Sequence, residues 1–181
     1  MMIDTSLQAF IGGVRRDWGP IGSGLVARCR ARLAALSLTD PGEPWLAALH
    51  AERPATRELH REGPDGFMLL AHAEQQGLYR PPHDHGRAWV VYSVLSGALE
   101  VGTYGRVDDR RGQRLVRRDT TYLRPGEAHA YLPGDVHDTL CLTGGALVLR
   151  FTERDVRRED EVERKVTRFV EREGEWFAPA S

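Results

Sequence analysis

The sequence predicts a mainly β protein, a sandwich, barrel or jelly roll, with helices at its N-terminus. Short strand-like runs follow one another from about residue 66, at a spacing of roughly eight to twelve residues. Turn elements such as "SG", "PGE", "PGD" and "TGG" divide them. The first third instead places its apolar residues at helical spacing.

Three helices are expected there. "TSLQAFIGGVRRDW" opens on a capping-type Thr5 or Ser6, with Gly12 and Gly13 weakening its interior. "GLVARCRARLAALSL" puts Leu25, Val26, Cys29, Leu33 and Leu36 on one face and arginines on the other. "TDPGEPWLAALHAE" has Pro44 in a first turn, which suits its fixed φ. The expected strands are "FMLLAHAE", "WVVYSVL", "ALEVGTY", "QRLVRR", "TTYLRP", "AHAYL", "DTLCL" and "ALVLRFT". Beyond Phe151 comes a charge run, "ERDVRREDEVERK", read as a solvated face or linker. The following "VTRFVEREGEWF" fits either a hairpin or an amphipathic helix. The expected units are a helical cap over 1–52, a barrel over 53–152, and a charged C-terminal extension over 153–181 packed on the barrel.

Bulk properties narrow the function. The chain has 181 residues, 41% hydrophobic and 28% charged, with a formal net charge of −1. No overall basic field exists to attract nucleic acid or an anionic membrane. No apolar stretch approaches the roughly 20 residues that span a bilayer. The first residues, with an early acid and no basic segment, do not read as a secretory signal. Cys29 and Cys141 make neither a disulfide framework nor a zinc-type pair, so a reduced, cytoplasmic protein is expected.

Two stretches carry chemistry. In "PPHDHGRAWVVYSVLSG" (81–97), extended backbone would turn His83 and His85 to one face and Asp84 to the other. Paired imidazoles of that kind suit two adjacent positions on iron, zinc, copper or nickel. In "YLPGDVHDTL" (131–140), a tight turn precedes His137, which opens the next strand. His129 in "PGEAHAYL" is the competing third histidine, without a glycine turn immediately before it. His50, His60 and His72 have no ligand-like spacing.

"HDH…G" and "PGDVH", in that order within an all-β segment, resemble the two motifs of the cupin superfamily. The resemblance implies a double-stranded β-helix (jelly-roll barrel), with Gly97 closing the first motif and Gly134 opening the second. It also implies a metal site of His83, His85 and His137, the third ligand arriving from the opposite side of the barrel mouth. Many cupins add a glutamate four or five residues past the second histidine. Trp89 and Val90 stand there, so no carboxylate is offered. Three neutral imidazoles leave a divalent cation uncompensated, which suits anionic ligands.

Within the cupins, "TRELHREGPDGFMLLAHAEQQGLYRPPHDH" is similar to the cysteine dioxygenase-like (thiol dioxygenase-like) proteins. This resemblance implies Fe(2+), with Mn, Ni or Zn as alternatives, and both dioxygen and a small-molecule substrate as partners. It gives Arg57 the role of binding the substrate carboxylate and Phe67 that of a buried aromatic. The serine–histidine–tyrosine triad of the family is replaced by Val148, Arg150 and Thr152. Arg150 is either a second cation facing the metal or a strand arginine paired with an acid. Strand parity from His85 puts Arg87 and Trp89 on the metal side unless a bulge intervenes, Trp89 as a wall of the pocket. Tyr92, Tyr104, Tyr122 and Tyr131 each offer a phenol, and the sequence does not choose among them. The function expected is oxidation of a small thiol-bearing carboxylate to a sulfinate, so Arg57, Trp89 and Arg150 are the catalytic candidates. The alternatives are a binding module without turnover, or a cupin isomerase, lyase or carbon-directed oxygenase using another metal. Substrate and oligomeric state stay open.

Overall fold

A computed structural model describes residues 5–179. The extreme N-terminal residues of the signal reading, 1–4, lie outside that range. Three helices come first. α1 (Ser6–Asp17) starts in a capping box, Thr5 accepting from the Gln8 amide while the Gln8 side chain accepts from the Thr5 amide. α2 (Ser23–Leu36) buries Leu25, Cys29, Leu33 and Leu36, and α3 (Pro44–Glu52) starts on Pro44.

Eleven strands follow: β1 (Arg57–Arg61), β2 (Met68–Glu74), β3 (Tyr79–His83), β4 (Val90–Ser96), β5 (Leu99–Asp109), β6 (Gly112–Leu123), β7 (Ala128–Tyr131), β8 (Val136–Cys141), β9 (Ala146–Thr152), β10 (Val170–Arg172) and β11 (Glu175–Phe177), with helix α4 (Val156–Glu161) between β9 and β10. They form two antiparallel sheets, ordered β1-β2-β9-β4-β7 and β10-β11-β6-β5-β8-β3. This is a double-stranded β-helix. Strands far apart in sequence become neighbours, as β2 and β4 both do on β9.

Alternation along the first sheet serves two cores. Leu69, Ala71, Val91, Leu147, Leu149 and Phe151 face the helices, packing on Phe10, Val14, Leu33 and Leu49. Val90, Val94 and Val148 face the second sheet and meet Leu99, Val101, Leu123 and Cys141 between the layers. The helices thus cover one face of the first sheet, and its other face looks inward.

Several elements differ from the sequence reading. "QRLVRR" and "TTYLRP" are one strand, β6, in a long hairpin with β5 that bulges at Thr103/Tyr104. β1 and β3 were not among the expected strands. β1 is a polar sheet edge, and β3 contains Pro81 and Pro82, which only an edge strand tolerates. The "VTRFVEREGEWF" segment contains a hairpin, β10–β11, turning through Glu173 and Gly174, both at positive φ, and adding to β6. The charge run is not wholly solvated: Glu159 of α4 is buried and accepts from the Arg87 amide and guanidinium.

Candidate metal centre

His83 ends β3 and His137 sits near the start of β8, directly opposite one another across the ladder. The third ligand therefore comes from the neighbouring strand, not from across the barrel mouth. Gly134 at φ +85° makes the turn before it, where the Asp135 side chain accepts from the Leu132 amide. His85 lies just past β3 in a turn in which the Ala88 amide donates to the His85 carbonyl. Asp84 points away and is buried, accepting from Arg106 and from the Gly86 and Thr167 amides. Those bonds pin the backbone between the two histidines.

One ligand atom from each of His83, His85 and His137 lies within 4.8 Å of the others. Ring centroids are 4.9 to 5.2 Å apart. The Pro81 carbonyl accepts from His83 Nδ1, an assignment that leaves Nε2 to face the cluster. His85 Nε2 lies 3.2 Å from the Tyr92 hydroxyl, and Tyr131 stacks on His137 with centroids 4.0 Å apart. Two of the four phenols are thus at the cluster. Tyr104 instead donates to Asp138 on the outer face of β8, and Tyr122 is exposed.

The donor set fits a cation. His85 Nδ1 and both nitrogens of His137 are buried without hydrogen-bond partners among the described residues, and leaving buried polar atoms unpaired costs about 1–3 kcal/mol each. Burial pushes the pKa values of all three imidazoles down, with neighbouring imidazoles adding to the effect on His85 and His137. They are therefore neutral, the form that ligates. His83, His85 and His137 would hold the metal. His129, opposite Tyr92 on β7, is outside the cluster.

The cluster lines a cavity of about 910 Å³ between the sheets, bounded also by Leu70, His72, Tyr92, Val148 and Arg150. Arg150 lies opposite Leu70 on one side and Tyr92 on the other, so its side chain shares their inward face. Two other candidates lie elsewhere. Arg57 pairs with Ala71, which faces the helices, and its guanidinium bonds Glu52 of α3. Thr56 and Glu58 on either side of it line the cavity, so alternation turns Arg57 away. Trp89 is also placed differently from its expected position. Gly86 at φ +63° breaks the extended chain after His85, so parity does not carry across to Trp89. Trp89 is fully buried in the helix-facing core against Phe151 and Trp18. Arg87 leaves the metal side for Glu159. His72 had no role in the sequence reading, because its signal is an interior strand position, visible only once the register is known.

Fold and cluster together define a double-stranded β-helix protein with a three-histidine pocket. No known family model matches the chain, and no curated protein does. Among solved structures, KdgF from Halomonas sp. is similar at 23% identity, over 59% of this chain and 82% of that one, with a TM-score of 0.46. The cupin domain of Schizosaccharomyces pombe Cnp3 is 12% identical over 58% of this chain and 63% of its own, at 0.44. An oxalate oxidase is 27% identical over 49% and 42%, at 0.40. The chain spans less than two thirds of the last two. All three TM-scores lie below 0.5, and the fold is assigned from the strand order and register described above. No helix among the described residues is long and apolar enough to cross a membrane.

Proposed function

We propose that the chain is a metal-dependent oxidoreductase of the thiol dioxygenase type, oxidising a small thiol-bearing carboxylate to a sulfinate. The observation that supports it is the set of three neutral imidazoles with no carboxylate among them, at the wall of a cavity large enough for a small substrate. Bound ferrous iron would supply a cation whose charge the protein leaves uncompensated, able to take an anionic sulfur donor and dioxygen together. The reaction balances with dioxygen alone: both oxygen atoms end on sulfur, which loses four electrons to them. No organic cofactor is needed.

The chain's own residues do the rest. Pro81 and the Asp84 bonds hold the imidazoles in orientation. The Tyr92 hydroxyl, 3.2 Å from His85 Nε2, offers a phenol at the reacting side, from β4 instead of from the strand that carries Arg150. Arg150 provides the positive charge in the cavity that the resemblance implies for Arg57. Apolar Leu70 and Val148 limit water around the substrate.

Iron-loaded protein incubated aerobically with a panel of small thiols should consume oxygen and yield sulfinate. No uptake with any thiol at full iron occupancy would leave the second reading, a metal- and small-molecule-binding cupin without turnover. That reading draws on the places of Arg57 and Trp89, both outside the cavity.

A further inference from the structure

Five buried side-chain nitrogens or oxygens lack a hydrogen-bond partner among the described residues. Three belong to the histidine cluster. The other two, His72 Nε2 and Arg150 Nε, line the same cavity. They sit on adjacent strands with the same inward orientation, Arg150 opposite Leu70 and His72 two residues along β2, opposite Val148.

Their hydrogen-bonding characters differ. Arg61, Arg80, Arg157 and Arg168 also line the cavity, and each donates to a carboxylate. Arg150 donates to none among the described residues, so its charge is free for a ligand anion. For His72 the tautomer is assigned from its neighbour. The Thr56 hydroxyl lies 2.8 Å from the Ala55 carbonyl and 3.0 Å from His72 Nδ1; with its one proton assigned to the carbonyl, it accepts from His72 Nδ1. Nε2 is then an acceptor, bare and buried. Burial first, then the Arg150 charge, pushes the His72 pKa down to about 3, so the ring stays neutral.

We propose that His72 and Arg150 form a recognition site for a carboxylate carrying a neutral hydrogen-bond donor on the adjacent carbon, a 2-hydroxy acid in preference to a 2-amino acid. The carboxylate takes the guanidinium and the hydroxyl donates to His72 Nε2. An ammonium is disfavoured because Arg150 already places a positive charge there. The carboxylate nearest in sequence, Glu74, is bonded to Arg80. The inference rests on reading this cavity as a substrate site and narrows the carboxylate proposed above, but it does not require the metal.

The test is calorimetric titration of metal-free protein with lactate, propionate and alanine, which differ only in hydroxyl, hydrogen or ammonium at one carbon. Lactate should bind about tenfold more tightly than propionate or alanine, the value of one buried hydrogen bond. Arg150→Gln should weaken lactate at least tenfold. His72→Leu should bring lactate down to propionate, and His72→Gln, which keeps an acceptor, should restore part of the difference. If Arg150→Gln does not fold by circular dichroism, Arg150→Lys keeps the charge and loses the fork, and should still weaken lactate. Equal affinities for the three acids, no binding of any, or wild-type affinity in the Arg150 variant would overturn the inference. Iron stoichiometry after anaerobic loading of the same preparation separates the two readings. Selective lactate binding without iron uptake sinks only the metal centre, and iron uptake without lactate selectivity sinks only this site.

Discussion

Among the described residues His137 has no hydrogen bond to either ring nitrogen, although its ring is buried. Polar atoms are rarely buried in that state without a ligand to complete them, and His85 Nδ1 shares the condition. A cation would relieve this cost, so anaerobic Fe(2+) should raise the melting temperature. At a hundredfold excess over the dissociation constant the gain would be about 2.7 kcal/mol. No shift in a calorimetric scan at that excess would count against the centre. Arg57 gives the converse prediction. Bonded to Glu52 and turned towards the helices, it can be changed to alanine with less than about a twofold effect on lactate affinity, a loss far below that of one hydrogen bond. A loss matching that of Arg150→Gln would return the carboxylate to Arg57.

At the scale of elements, the turn after His85 decides much of the site. Glu159 of α4 holds that turn by accepting from the Arg87 amide and guanidinium. Glu159→Gln should therefore lower stability by about 1–3 kcal/mol, read from the urea midpoint, because buried donors lose their charged partner. An unchanged midpoint would make the contact incidental. The same turn marks how far the sequence could be read. His83, His85 and His137 were legible because the two motifs bring their own turns, Gly134 among them. Trp89 was misplaced because parity assumes continuous extended chain, and Gly86 ends it. Arg150 was named from the resemblance with two readings open, a cation facing the metal or the partner of an acid, and only the register sets it on the inward face, as it turns Arg57 outward. β3 was missed because Pro81 and Pro82 look unlike strand residues, and only its edge position in the sheet permits them. Tyr92 could be chosen from four tyrosines only once β4 was seen to face the cluster.

Across the whole molecule, acid should act through two sets of groups with the same sign. The folded chain keeps His72 and the three clustered imidazoles neutral, with lowered pKa values that arise first from burial. The unfolded chain protonates them near pH 6.5. Below that pH the unfolded state binds more protons, so stability falls as pH falls, by at most about 1.4 kcal/mol per pH unit for each imidazole. For His72 the loss continues to about pH 3. The Arg87 bond holds Glu159 low and the Arg168 bond holds Asp160 low. Their contribution is complete above the ordinary carboxylate range and is lost as pH falls through their folded values. Metal-free protein should therefore lose melting temperature steadily below pH 6.5, and His72→Gln should flatten that slope. A flat profile from pH 7 to 5 would contradict the neutral, buried imidazoles.

The proposed oxidation depends on one cation shared by residues from β3, the turn after it, and β8. Metal content by elemental analysis, on protein loaded anaerobically with Fe(2+) and desalted, tests this most directly. The account predicts close to one iron per chain in the wild type and almost none in His83→Ala, His85→Ala and His137→Ala, with circular dichroism showing each barrel still folded. Undiminished iron in any of the three folded variants would contradict it.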